Sequence, residues 1–128
     1  MILADTDVLI DYLAGVQPVK DQIAGYAGAE WLQTTAVTCF ELLSGAGERG
    51  DAVRRMLGTL AVLPLDRAAA ERAAQVRRKL DRTGQPIGMG DSLIAGIALT
   101  HNLPLLPRNR KHFERVAELK LVGIDERP

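Results

Sequence analysis

Short apolar runs at residues 1–4, 31–35, 61–65 and 103–106 recur along the chain, and stretches of helical periodicity lie between them. This alternation limits the fold more than any other feature. Strands separated by helices are joined by right-handed crossovers, which builds a mostly parallel sheet covered on both faces. A further apolar stretch, residues 119–124, reads as a last strand. The expected class is α/β, a central sheet between two helical layers. At 128 residues, the chain is expected to form one domain over positions 1–128 around a single core.

The intervening segments carry their own start and stop signals. Val8, Leu9, Tyr12 and Leu13 recur at helical spacing directly after the first strand, with Asp7 as a candidate cap. Pro18 suits the start of a second helix through Ile23 and Tyr26. Thr35 or Ala36 leads into a nearly all-apolar helix, residues 37–43, which is expected to be buried. Asp51 can cap the helix whose stripe is Val53, Met56, Leu57 and Leu60, and Asp66 the one that turns Ala69, Ala73, Val76 and Leu80 inward. Residues 92–99 form a buried helix rich in small side chains, which Asp91 would cap. Residues 107–113 read as a basic turn.

Hydrophobic residues at 47% and charged residues at 25% exclude a disordered or fibrous chain. No apolar run approaches the roughly 20 residues of a spanning helix, so no membrane role is expected and the cytoplasm is the expected compartment. Cys39 has no partner for an internal disulfide. Net charge is zero, but its distribution is uneven. Residues 1–48 hold seven acids and one base, residues 49–128 nine acids and fifteen bases. An acidic centre with basic flanks suits a cation and a polyanion held together, although two solvated faces of opposite sign give the same count.

Three acids stand alone in apolar surroundings: Asp5 at the first strand-to-helix junction, Glu41 within the apolar helix, and Asp91 at a helix start. A buried carboxylate needs a cation, a proton or a hydrogen-bond network, and converging carboxylates repel unless a cation joins them. Oxygen donors without a His or Cys cluster suit Mg²⁺ or Mn²⁺. Such a cation meets phosphates and activates water, which points to phosphate or phosphodiester hydrolysis.

In order, the segments at 5–11 (DTDVLID), 40–45 (FELLSG), 87–95 (IGMGDSLIA) and 108–113 (RNRKHF) resemble the motifs of PIN-domain ribonucleases, most closely the VapC-type toxins. The resemblance spans essentially the whole chain. It implies a PIN-like three-layer sandwich and Mg²⁺-dependent RNA cleavage, with Asp5, Glu41 and Asp91 as metal-binding and catalytic residues. It also implies a cognate antitoxin that masks the site, and a homodimer. The last motif departs from the family pattern, in which a Thr commonly opens it and an acid or Asn follows two residues later. Here Pro107 and Asn109 stand at those positions, and His112 stands where some members carry an acid. Asn109 is the expected fourth site residue, with His112 the alternative. Arg108, Arg110 and Lys111 are expected to contact phosphates.

Two other readings fit the same residues less well. Residues 5–7 (DTD) after a strand also resemble the opening of haloacid-dehalogenase-type phosphatases, but Leu9 and Ala95 stand where that pattern wants Thr or Val and a second Asp. A catalytically silent protein-binding module would use the three acids as a structural network.

Overall fold

Ile2, Leu3 and Ala4 are all buried, and they form the first strand of a sheet set between two helical layers. The computed structural model describes residues 1–28 and 31–124. In chain order the elements are β1 (Ile2–Ala4), α1 (Thr6–Leu13), α2 (Val19–Gly28), β2 (Leu32–Thr35), α3 (Ala36–Gly45), a 3₁₀ turn (Gly47–Arg49), α4 (Gly50–Leu57), β3 (Ala61–Leu63), α5 (Arg67–Arg82), α6 (Met89–Thr100), β4 (Leu105–Leu106) and α7 (Arg110–Glu114). The four strands run in the order β3-β2-β1-β4, and every pairing is parallel. The expected α/β class is therefore observed.

Successive strand residues point to opposite faces, so each strand feeds two cores. Leu3 and Leu105 join Ala69, Val76, Ile94, Ile97 and Phe113 on one face. Ile2, Ala4 and Leu106 join Val8, Leu9, Ile23, Val53 and Leu57 on the other. From β1 the chain proceeds to β2 on one side, while β4 arrives on the other side after the α5–α6 crossover. Connections that diverge in this way leave a crevice at the carboxyl ends of β1 and β4. The β1-to-α1 and β4-to-α7 turns both open there.

Several local expectations need correction. Residues 119–124 are not a strand; Leu121 makes one isolated parallel bridge to Leu105. With only two residues, β4 offers the segment too little ladder to pair with. Asp5, not Asp7, caps α1, its carboxylate accepting from the Thr6 N–H. Asp51 lies in the first turn of α4, and no side chain caps that helix. Asp91 is not a cap either. Gly88 occupies that position, and Asp91 lies inside the first turn of α6. Asp66 does cap α5, accepting from the Ala69 N–H at 2.9 Å, and Thr35, rather than Ala36, opens α3, accepting from the Thr38 N–H at 3.0 Å. Nor is α3 fully buried. It turns Val37, Thr38 and Leu42 inward, while Phe40 is 69% exposed and Glu41 is exposed beside it.

Candidate active site

Asp5 is the first residue past β1, and its backbone N–H donates to the carbonyl of Leu106 at the end of β4. The strand order thereby fixes its carboxylate at the crevice. Only 3% of the residue is exposed. Its carboxyl group is pushed up from 3.8 to about 7, first by burial and then by the charges of Asp7 and Asp91. Glu41 adds a smaller push, against the lowering effect of the Thr6 N–H. The three acids expected to act together are thus electrostatic neighbours.

Glu41 reaches this crevice from α3 because the buried threonines of two helices hold it there. The Thr6 hydroxyl donates to Glu41 Oε1 at 2.8 Å and lies 3.0 Å from Thr38 Oγ1, which is itself 3.2 Å from Thr35 Oγ1. This hydroxyl network satisfies one carboxylate oxygen and orients the exposed carboxylate without a charge. The premise of a buried, lone Glu is therefore incorrect for this helix. Glu41 stands on the outward face of α3, and α6 supplies the opposing wall. A Cβ added at Gly90 would lie 3.1 Å from Glu41 Oε2. We expect Gly90→Ala to displace that carboxylate by a few tenths of an ångström while raising helix stability by up to about 1 kcal/mol. A folded variant with a higher melting temperature and slower catalysis is the expected outcome. Unchanged turnover would show that the carboxylate's position is not critical.

Asp91, in the first turn of α6, is partly exposed, and its carboxyl is raised chiefly by burial, against the lowering effect of His112. His112 Nδ1 lies 3.4 Å from Asp91 Oδ2 and 3.4 Å from Asn109 Nδ2. Asn109 thus joins the site through His112, so the two candidates for the fourth position stand in one chain of contacts. Of the three basic residues expected at phosphates, two are engaged within the chain. Arg108 is turned onto α1, pairing with Asp11 at 3.0 Å and Asp7 at 3.6 Å. Arg110 pairs with Glu114 at 3.0 Å, and Lys111 is exposed beside it. Sequence reasoning missed Thr6, Thr38 and the influence of Asp7 on Asp5. Hydroxyl residues carry no signal of their own, and only the fold brings these together.

Among the described residues, no three Asp, Glu, His or Cys side chains are gathered closely enough to hold a metal ion together. Asp5, Glu41 and Asp91 share one crevice without forming a cage. The donor chemistry nonetheless fits a hard divalent cation, since Mg²⁺ is commonly held by one or two carboxylates and keeps several waters. A buried carboxyl whose proton is retained only because of burial and like charges is a group that a cation would ionise.

A family model described as "PIN domain" matches residues 2–119. The chain is 36% identical over 122 residues to "Ribonuclease VapC10" of Mycobacterium tuberculosis, covering 94% of this chain and 91% of that protein. It is 37% identical over 93 residues to "tRNA(fMet)-specific endonuclease VapC" of Shigella flexneri, covering 67% and 70%. The solved structure of VapBC-1 from nontypeable Haemophilus influenzae superposes with a TM-score of 0.83 at 26% identity, over 98% of this chain and 100% of that one.

Proposed function

The chain belongs to the PIN-domain family, and from that premise we propose that it is a VapC-type toxin, a metal-dependent endoribonuclease that hydrolyses RNA phosphodiester bonds at the carboxyl ends of β1 and β4. One observation carries the metal-dependent chemistry: a deeply buried Asp5 whose carboxyl is raised to about 7 among three further carboxylates. Asp5 and Asp91 would hold Mg²⁺, or Mn²⁺ in its place, with Glu41 at the rim. When bound, the cation supplies charge neutralisation at the phosphate and lowers the pKa of a water. The remaining work falls to the chain. Glu41, oriented by Thr6, accepts a proton from the attacking water or holds it in line. Asn109 completes the pocket with an amide that orients without adding charge. His112 keeps Asp91 and Asn109 in register. Arg110 and Lys111 steady flanking phosphates, which positions RNA without reading its sequence. Arg108 would reach a phosphate only by leaving Asp7 and Asp11.

The same family membership supports a cognate antitoxin and a homodimer as partners, and the cytoplasm as the site of action. No helix among the described residues is long and apolar enough to cross a membrane. An apolar cleft of about 190 Å³, lined by Ile10, Leu13, Leu42 and Val53, opens beside Glu41. It suits a partner segment that masks the site.

The test is cleavage of single-stranded RNA by purified protein. Turnover should require Mg²⁺ or Mn²⁺ and stop with EDTA. Glu41→Gln should keep the fold, because the amide oxygen still accepts from Thr6, and lose roughly a hundredfold or more in rate, the usual contribution of a positioned acid–base group. Folded protein that cleaves no RNA with either cation would instead support the binding-module reading. Full activity in Glu41→Gln would remove that residue from the chemistry.

A further inference from the structure

The longest helix carries a basic stripe that the catalytic reading does not use. On one flank of α5, beside the segment that follows α7, lies a cleft of about 460 Å³ lined by Arg72, Gln75, Arg78, Lys79, Arg82 and Glu118. Four cations face one acid. Lys79 is paired with Glu118 at 3.2 Å, but Arg72, Arg78 and Arg82 are exposed and make no side-chain hydrogen bond or ion pair among the described residues. Arg54, Arg67 and Arg110 each pair with an acid three or four residues away on their own helix, whereas Arg55 and Arg77, which also lack an acid partner among the described residues, lie away from this cleft. What sets the stripe apart is that three arginines without an acid partner line one cleft together with Lys79.

Its position ties it to the crevice. Gly96 abuts Ala69 and Ala73, and Arg77 lines a groove with Met89, so α5 and α6 run antiparallel with the Arg82 end of α5 near the start of α6. The first turn of α6 carries Asp91. The guanidinium of Arg115 donates to the carbonyl of Pro86 at 2.8 Å, closing the α5–α6 loop onto the chain just past α7, whose His112 meets Asp91. The stripe therefore starts beside the crevice and runs away from it. From Arg82 to Arg72 it extends about 15 Å along the helix, or about four nucleotide steps at a stacked rise of about 3.4 Å.

We infer that the α5 stripe is a track for the RNA backbone flanking the scissile phosphate, an inference that rests on the ribonuclease reading. An acidic protein segment would match the charge, but the lining offers no apolar anchor apart from the buried Val76. Protein interfaces concentrate their binding energy on buried aromatic and aliphatic anchors, whereas backbone binding needs only spaced cations.

The experiment measures binding of a labelled RNA of about 20 nucleotides to the wild-type chain in EDTA, by anisotropy across a salt series, against Arg72→Gln/Arg78→Gln/Arg82→Gln and the corresponding triple Glu variant. Far-UV circular dichroism checks the fold. At about 0.7 per phosphate contact on a single strand, the Gln variant should lower the slope of log K against log salt by about 2, and weaken binding about tenfold or more at moderate salt. The Glu variant should weaken it further. A tetranucleotide, too short to span crevice and stripe, should be cleaved in Mg²⁺ at the wild-type rate by both variants. An unchanged slope overturns the inference, as does equal loss on the tetranucleotide. So does a stripe whose substitution releases polyglutamate but not RNA, which would assign it to an acidic protein. Binding is read without metal, so a wild-type chain that binds RNA through the stripe but never cleaves it refutes the nuclease reading alone.

Discussion

Asp5→Asn is expected to melt higher than the parent chain at pH 8 in EDTA, by about 5 °C or more, and in Mg²⁺ to cleave RNA about a thousandfold more slowly. The stability gain follows from the direction of the Asp5 shift. In the unfolded chain this carboxyl titrates near its ordinary 3.8, and in the folded chain near 7. The folded state holds the proton more tightly, so the contribution of this group to stability is fully present below about pH 3.8. It is lost as pH rises through about 7. Three pH units correspond to about 4 kcal/mol at most for the ionised form. Asn removes the charge, keeps the size and still accepts from the Thr6 N–H as an N-cap of equal quality. At pH 4 the advantage should shrink toward zero. Added Mg²⁺ should raise the parent's melting temperature and leave the Asn variant nearly unchanged, since a ligand stabilises only the state that binds it. The expected rate loss reflects several kcal/mol of cation-derived stabilisation. An Asn variant that melts lower at pH 8, or that cleaves normally, would refute the reading of Asp5 as a strained cation ligand.

Much of this arrangement was legible in the sequence because buried parallel strands read as near-continuous apolar runs. The residues of β1, β2, β3 and β4 all lie within such runs. Asp66 was legible as a cap because the preference is local to the helix start, whereas the sequence left the start of α3 open between Thr35 and Ala36, and Thr35 is its cap. Legibility ended where an answer depended on a helix's face or on a distant partner. Spacing alone placed Glu41 in a buried helix, yet only the Val37, Thr38 and Leu42 side of α3 is covered. Asp91 read as a cap because helix boundaries blur by one or two residues, and Gly88 holds that position. Arg108 read as a free base in a basic turn, and its partners Asp7 and Asp11 lie nearly the whole chain away. Asp5 combines two roles that the sequence offered as alternatives: it caps α1 and stands as the most perturbed carboxyl in the crevice.

The α5–α6 packing that sets Asp91 against Asp5 rests on one missing side chain, and Gly96→Ala is expected to destabilise the chain by about 2–3 kcal/mol. A Cβ at this position would lie 2.6 Å from Ala73 Cβ, 2.7 Å from the Ala69 carbonyl oxygen and 2.7 Å from the Ala73 nitrogen. Two of these three atoms are backbone, so no rotamer change relieves the overlap and the helices must separate. Inside a helix, Gly to Ala ordinarily gains about 1 kcal/mol, and the steric term must outweigh that gain. Gly45 on α3 provides the control, because nothing lies within 4 Å of its added Cβ; Gly45→Ala should be neutral or stabilising. Urea denaturation separates the two cases. The Gly96 variant should shift the midpoint down at unchanged slope, and the Gly45 variant should not. Because α6 carries both Asp91 and Gly90, parting it from α5 should also slow RNA cleavage at urea-free, fully folded conditions, where a purely global loss of stability would leave the rate unaltered. If Gly96→Ala instead stabilises as Gly45→Ala does, the helices do not cross as closely as described, and the placement of Asp91 beside Asp5 loses its structural cause.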